Sequence, residues 1–181
     1  MAVSDPVPIP VDLFVSKKHP GLDHGDLCFV NSDGNMVYKA TRPSSLKSSS
    51  SSNRILLDAA GNPLILMCYN HNGCWQCFKG DGVNKEMIAR VQRTKNTLTR
   101  TELEVFVLGE NGEEATPDFK VKGFPFQRSC TIYKGNQIVA QTSLMYKLNQ
   151  LFVKRGKFRL TIFPGSVDHT LVVALVVIFL H

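Results

Sequence analysis

Cys74-Trp75-Gln76-Cys77 is the stretch whose spacing best matches working thiols, because C-x-x-C serves both disulfide exchange and metal binding. A structural zinc site needs about four ligands. The chain has no second C-x-x-C; His71 is close in sequence, and Cys68 and His24 are the further candidates. A thioredoxin-type pair opens a helix in a βαβ unit. This pair falls in a run that reads as a strand, where residues three apart point to opposite faces and the thiols diverge. The cysteines therefore read as structural. Gly80-Asp81-Gly82 starts like a dinucleotide-binding fingerprint, but Lys85 stands where the third glycine belongs and no helix signal follows. It reads as a turn. Ser, His and Asp occur without a Gly-x-Ser-x-Gly elbow, and no phosphate-binding P-loop is present. The histidines, His19, His24, His71, His169 and His181, are scattered. Nothing in these patterns asks for catalysis, a metal or a cofactor.

Basic residues are the remaining chemistry. The 181 residues carry 21 Lys plus Arg against 15 Asp plus Glu, a net charge of +6. Residues 1–84 hold 7 basic and 7 acidic side chains, residues 85–118 hold 5 and 7, and residues 119–181 hold 9 and 1. The excess sits in the last third, and its field attracts phosphate-bearing partners such as membrane lipid or nucleic acid. The structural alternative is a set of solvated outer strand faces. Around 155–163 the period-2 alternation puts Arg155, Lys157 and Arg159 on one face and Phe158, Leu160 and Ile162 on the other. Lys154 extends the cationic row, and Lys120 with Lys122 repeats the pattern. Lys120, Lys122, Lys154, Arg155, Lys157 and Arg159 are thus the candidate site for anionic lipid. Arg90, Arg93, Lys95 and Arg100 form a second basic run, partly balanced by Glu86, Glu102 and Glu104. No helix-in-groove nucleic-acid motif accompanies either set, so direct nucleic-acid binding is not expected.

The elements that must position these residues are short strands separated by turn signals. Val11–Lys17, Leu27–Val30, Met36–Ala40, Ile55–Leu57, Leu64–Tyr69 and Cys74–Phe78 read as strands. Glu86–Arg93, Glu102–Leu108, Phe119–Val121, Arg128–Tyr133, Ile138–Met145 and Phe158–Phe163 complete about twelve. Asp33-Gly34 marks a hairpin, and Asn62-Pro63 and Asn111-Gly112 lie in further turns. Regular strand spacing favours an antiparallel barrel or sandwich over a parallel α/β sheet. Seven of the nine residues 44–52 are Ser, which reads as a surface loop.

Leu171–Leu180 is apolar throughout, between His169 and His181, with Asp168 or Thr170 to cap a helix. Ten to twelve residues make about 15–18 Å of helix, too short for a bilayer core of about 30 Å. A helix apolar on every face must be buried on every face. In a chain of strands, one solution is a sheet curled around it. A buried central strand is the alternative, since Val, Ile and Phe favour strands.

Several stretches carry a family likeness: Pro10-Val11-Asp12-Leu13, Leu56-Leu57-Asp58-Ala59-Ala60-Gly61-Asn62-Pro63, and Trp75 with Phe78-Lys79-Gly80-Asp81. Phe119-Lys120-Val121-Lys122-Gly123, Arg128-Ser129-Cys130-Thr131-Ile132-Tyr133, Ile138-Val139-Ala140-Gln141 and the apolar C-terminal run extend it. As an ordered set they resemble the LURP-one-related proteins of plants, in the tubby C-terminal-like and phospholipid scramblase superfamily. The resemblance implies a mainly β fold, an antiparallel barrel of about twelve strands enclosing a central apolar C-terminal helix. It implies one domain over residues 1–181, with 1–10 as an N-terminal arm and 43–53 as the Ser-rich loop. It implies no enzyme activity and no cofactor. Members are described as relatives of membrane-tethered transcription factors, some linked to plant defence, and tubby proteins bind phosphoinositide through basic residues. Those positions do not map onto this sequence residue by residue. The cysteine-rich lipidation segment of scramblases is not evident.

The expected protein is a monomeric, non-enzymatic binding module whose partner is anionic membrane lipid, phosphoinositide included, or a signalling protein. A protein-interaction scaffold without lipid is the competing expectation. The Pro-rich start has no apolar h-region, residue 2 is Ala, and no Asn-x-Ser/Thr sequon occurs. Five cysteines, an odd number, fit a reducing compartment. The expected location is cytoplasmic, with peripheral plasma-membrane association and nuclear entry both open, and not secreted.

Overall fold

The structure, a computed structural model, describes residues 8–17, 25–44, 52–84, 86–109, 116–145, 157–165 and 167–181. Most of the Ser-rich loop, the N-terminal residues 1–7 and the segment 146–156 lie outside them. The strands are β1 (Val11–Ser16), β2 (Leu27–Val30), β3 (Met36–Thr41) and β4 (Arg54–Asp58). Then come β5 (Pro63–Asn70), β6 (Cys74–Lys79), β7 (Met87–Asn96) and β8 (Thr101–Val107). The last are β9 (Phe119–Phe124), β10 (Ser129–Lys134), β11 (Gln137–Leu144) and β12 (Lys157–Ile162), and helix α1 (His169–Phe179) ends the fold.

Each strand pairs antiparallel with its neighbours in sequence, and β1 closes the ring by pairing with both β2 and β12. The hairpin turns permit this. Asn31 Oδ1 accepts the N–H groups of Asp33 and Asn35 at 3.1 and 2.9 Å, and Gly34 takes a left-handed φ of 83° that a side chain would oppose. Gly123 is needed for a different reason: a Cβ there would sit 2.1 Å from the carbonyl oxygen of Ser129 on β10. Register shifts in several ladders help the sheet curl.

Alternation decides what faces inward. Leu13 and Val15, Trp75 and Cys77, Leu103 and Val105, and Phe158, Leu160 and Ile162 are buried in one core. The core's centre is α1. Asp168 caps its first turn by accepting the Thr170 N–H at 2.9 Å. All nine residues from 171 to 179 are buried. Burying each Val, Leu, Ile or Phe among them contributes roughly 1.5–3 kcal/mol, so the barrel and its plug hold each other. The helical expectation for Leu171–Leu180 is therefore met, and the strand alternative is not. A closed sheet has no free edge to take another strand.

Leu175→Ala should lower the unfolding free energy by about 2–5 kcal/mol, because a buried cavity replaces packed side chain. Leu98→Ala, at a residue 88% exposed, should change it by less than about 0.5 kcal/mol. Urea denaturation of both variants checks the pair.

Candidate anion-binding site

On β12 the alternation is as expected: Lys157 and Arg159 are exposed while Phe158, Leu160 and Ile162 are buried. Arg159 Nη1 lies 3.9 Å from Asp12 Oδ2 on β1, and the same carboxyl accepts the Thr161 hydroxyl. On β9, Lys120 is exposed and its Nζ lies 3.5 Å from Glu104 Oε1 on β8. Lys122 stands opposite Glu102, which also takes Arg100 at 3.0 Å. The two sets do not form one row, because β10 and β11 lie between β9 and β12. Three strand spacings of about 4.8 Å separate them by roughly 14 Å. Lys154 and Arg155 fall outside the described residues, in the connection from β11 to β12.

Lys157 leads elsewhere. It stands opposite Ser16, the residue before Lys17, at one mouth of the barrel. Antiparallel alternation sends the ends of the odd-numbered strands and the starts of the even-numbered strands to that mouth. The C-terminus of α1 arrives there too, where Leu180 and His181 border a small cavity with Lys17, Gly25 and Arg54. Beside it opens a cavity of about 640 Å³ whose lining includes Arg93, Thr101, Phe126, Arg128 and His181.

Five cations converge on this mouth. Lys17, Arg42, Arg54 and Arg93 all act on His181, and Arg128 acts on Lys17. Arg54 is only 6% exposed and its Nη1 donates to the Asn53 carbonyl at 2.7 Å. Burial pulls the His181 imidazole down to about 4, and Arg54, Arg93, Arg42 and Lys17 push the same way. Burial also lowers Lys17, with Arg128 adding to it, and lowers Arg128 itself. Part of this charge answers the helix: the C-terminal end of α1 carries about half a negative charge from its aligned peptides. The His181 ring stands edge-on to Trp75, 5.6 Å between centroids.

Arg93 belongs to the second basic run visible in the sequence; Lys17, Arg42, Arg54 and Arg128 do not. They are far apart along the chain and meet only on closure. The signal that would find them is positional: each stands at a strand terminus, and all of those termini share one parity.

The thiols diverge as the strand reading requires. Cys74 is partly exposed, with its Sγ 3.8 Å from the Trp75 carbonyl oxygen, while Cys77 is buried on the inner face. Burial pushes Cys77 up to about 12, with Cys68 and Cys74 adding to it. Burial pushes Cys130 up to about 12 as well, against the opposing Thr142 hydrogen bonds. No group of three or more His, Cys, Asp or Glu side chains among the described residues is placed to hold a metal. No helix among them is long and apolar enough to cross a membrane.

Fold and site together define a helix-plugged β-barrel whose polar features lie on its outer wall and at one mouth. Comparison with known proteins places it further: the chain belongs to the LURP-one-related family, whose sequence model matches residues 11–180. It is 53% identical over 174 residues to LURP-one-related 7 of Arabidopsis thaliana, covering 96% of this chain and 90% of that one. LURP-one-related 15 of the same plant is 31% identical over 177 residues, covering 94% and 79%. The X-ray structure of an Arabidopsis thaliana protein superposes with a TM-score of 0.68 at 30% identity, covering 95% of this chain and 90% of that chain.

Two outcomes are expected. His181 has its folded-state pKa at about 4 against 6.5 for a free imidazole, so the native state favours its neutral form. The stability this contributes is present above about pH 6.5 and is lost as pH falls toward 4. His181→Gln should flatten that part of the melting-temperature profile, and an NMR titration of the imidazole should place its midpoint well below that of a free histidine. In a second test, iodoacetamide at neutral pH should leave Cys77 and Cys130 unmodified in the native protein and label them after unfolding. Native labelling of Cys77 would contradict the inert-thiol reading.

Proposed function

We propose that this LURP-one-related protein is a non-enzymatic binding module that docks reversibly on anionic membrane lipid, phosphoinositide included. In this reading it acts in signalling, in the plant-defence and transcription-control setting that the sequence resemblance implies. The observation that carries it is β12, whose apolar set faces the core while Lys157 and Arg159 face outward. Arg155, two residues earlier, continues the row in sequence. Each Lys or Arg near an anionic surface contributes about 1 kcal/mol. A handful of them gives attachment that salt reverses.

One observation favours a second reading. Arg159 has Asp12 beside it and Lys120 has Glu104, which suits a solvated outer wall on a protein-interaction scaffold. The two readings part in one experiment. The purified protein is cosedimented with phosphatidylcholine vesicles and with vesicles that also hold phosphoinositide, at low and at physiological salt. The docking reading expects salt-sensitive binding to the phosphoinositide vesicles alone. The triple variant Arg155→Glu, Lys157→Glu, Arg159→Glu should weaken it by roughly a hundredfold or more, the effect of three such contacts. Among the described residues one exposed ion pair is lost, Arg159 with Asp12, costing about 0–1 kcal/mol of stability, so the fold should survive. Absence of vesicle binding at both salts would leave the scaffold reading.

A further inference from the structure

We propose that the mouth at the C-terminal end of α1 is a binding pocket for a phosphate monoester with a hydrocarbon body, its phosphate held by Arg93 and Arg128. This site is distinct from the β12 face and goes beyond membrane docking.

Charge balance is the first ground. Lys39, Lys79, Arg100, Lys120 and Arg159 each have a carboxylate within 4 Å. Among the described residues, no such ion pair is formed by Arg42, Arg93 or Arg128. Arg93 also has its Nε buried without a hydrogen-bond partner. An orphaned buried donor costs about 1–3 kcal/mol, which a charge-assisted bond to a phosphate oxygen would recover. Arginine forks suit phosphate geometry.

The second ground is how Arg128 is held. Its φ of 54° makes it the one non-glycine residue in the left-handed region among the described residues. Such a conformation persists only where its surroundings enforce it. Here the Arg128 N–H donates to the Pro125 carbonyl at 3.1 Å, and the Thr142 hydroxyl donates to the Arg128 carbonyl at 2.8 Å. The same hydroxyl accepts the Cys130 N–H at 2.8 Å, locking the turn onto β10.

Shape is the third. The cavity of about 640 Å³ is of the size that takes small organic ligands, about 300–1,000 Å³. Arg93 and Arg128 supply its charge, and Leu98, Phe126 and Phe179 supply its apolar wall. Leu98 is 88% exposed and Phe126 is 70% exposed. Two exposed apolar side chains beside two guanidinium groups fit a ligand with an anionic head and an apolar body better than inorganic phosphate.

The chain's single tryptophan, Trp75, touches the His181 ring that borders the cavity. Its fluorescence, together with calorimetry, reads the test. Hexyl phosphate is titrated into the intact protein beside inorganic phosphate and hexanol. The expected result is saturable binding of hexyl phosphate, inorganic phosphate weaker by roughly tenfold or more, and no binding of hexanol. Arg93→Gln and Arg128→Asn should each weaken hexyl phosphate by roughly tenfold or more. Asn tolerates the left-handed backbone at 128. Leu98→Glu puts an acid on the rim at a position too exposed to affect folding, and should weaken binding as well. A bound dianion should raise the His181 titration midpoint. No saturable binding of hexyl phosphate, or equal affinity in all three variants, would overturn the proposal.

The source of the phosphate is separated by competition. Displacement of hexyl phosphate by phosphatidylcholine vesicles containing phosphatidic acid identifies a lipid headgroup. Binding that the vesicles do not displace identifies a soluble phosphorylated compound. The Arg155, Lys157 and Arg159 triple variant should keep its hexyl phosphate affinity, so failure of the docking reading and failure of this one remain distinguishable.

Discussion

A helix without a polar side is the constraint on which this structure depends. Residues 171–179 of α1 are all apolar and all buried, so water has to be excluded from every direction at once. Helices usually meet this demand by packing among other helices; among the described residues this chain offers strands and a single three-residue helical turn, Pro125–Gln127. A sheet covers one side of a helix unless it closes, and closure is what the β1–β12 pairing provides. The dimensions agree. Eleven helical residues span about 16 Å at 1.5 Å each. A six-residue strand of about 20 Å, tilted by about 40°, gives a barrel height of roughly 15 Å.

Closure solves the sides of the helix and leaves its ends. At the first end Asp168 supplies the cap. At the other, the Leu180 N–H still reaches Val176 and the His181 N–H reaches Ile178, but carbonyl groups remain with their negative field pointing out of the mouth. Cations gathered there are stabilised by that field. Lys17, Arg42, Arg54, Arg93 and Arg128 gather there, with the buried Asp26 acting on Arg54. Burial first, and the neighbouring cations after it, pull the His181 imidazole down to about 4.

The barrel was legible in the sequence because its signals are local. Turn residues such as Asn31 and Gly34, and alternations such as Phe158-Arg159-Leu160, are read within a few positions. Strand ends moved by a residue or a few: β7 runs on to Asn96, beyond the expected Arg93, since its pairing with β8 continues past the shift at Arg93 to Lys95. The apolar helix was legible too, because only burial suits it. The mouth was not legible. Arg42, Arg54 and Arg128 each look like an ordinary loop or strand-end residue. What joins them is the parity of strand direction around a closed ring, which no local window contains.

Charge counted along the chain also differs from charge counted across the sheet. Residues 119–181 hold 9 basic side chains and 1 acidic, which invites a basic outer wall. The sheet sets part of that excess against the preceding segment, where 7 acids outnumber 5 bases. Glu104 meets Lys120, and Glu102 stands opposite Lys122, so β8 balances β9. Such cross-strand pairs contribute about 0.2–1 kcal/mol each and cancel much of the field that the lysines would project. On β12 the same balancing reaches Arg159 through Asp12. Toward the mouth it stops: Lys157, Lys17, Arg93 and Arg128 form no ion pair among the described residues. Among the described residues, the positive charge left without an ion pair therefore gathers toward one mouth of the barrel, where strand ends from across the sequence meet.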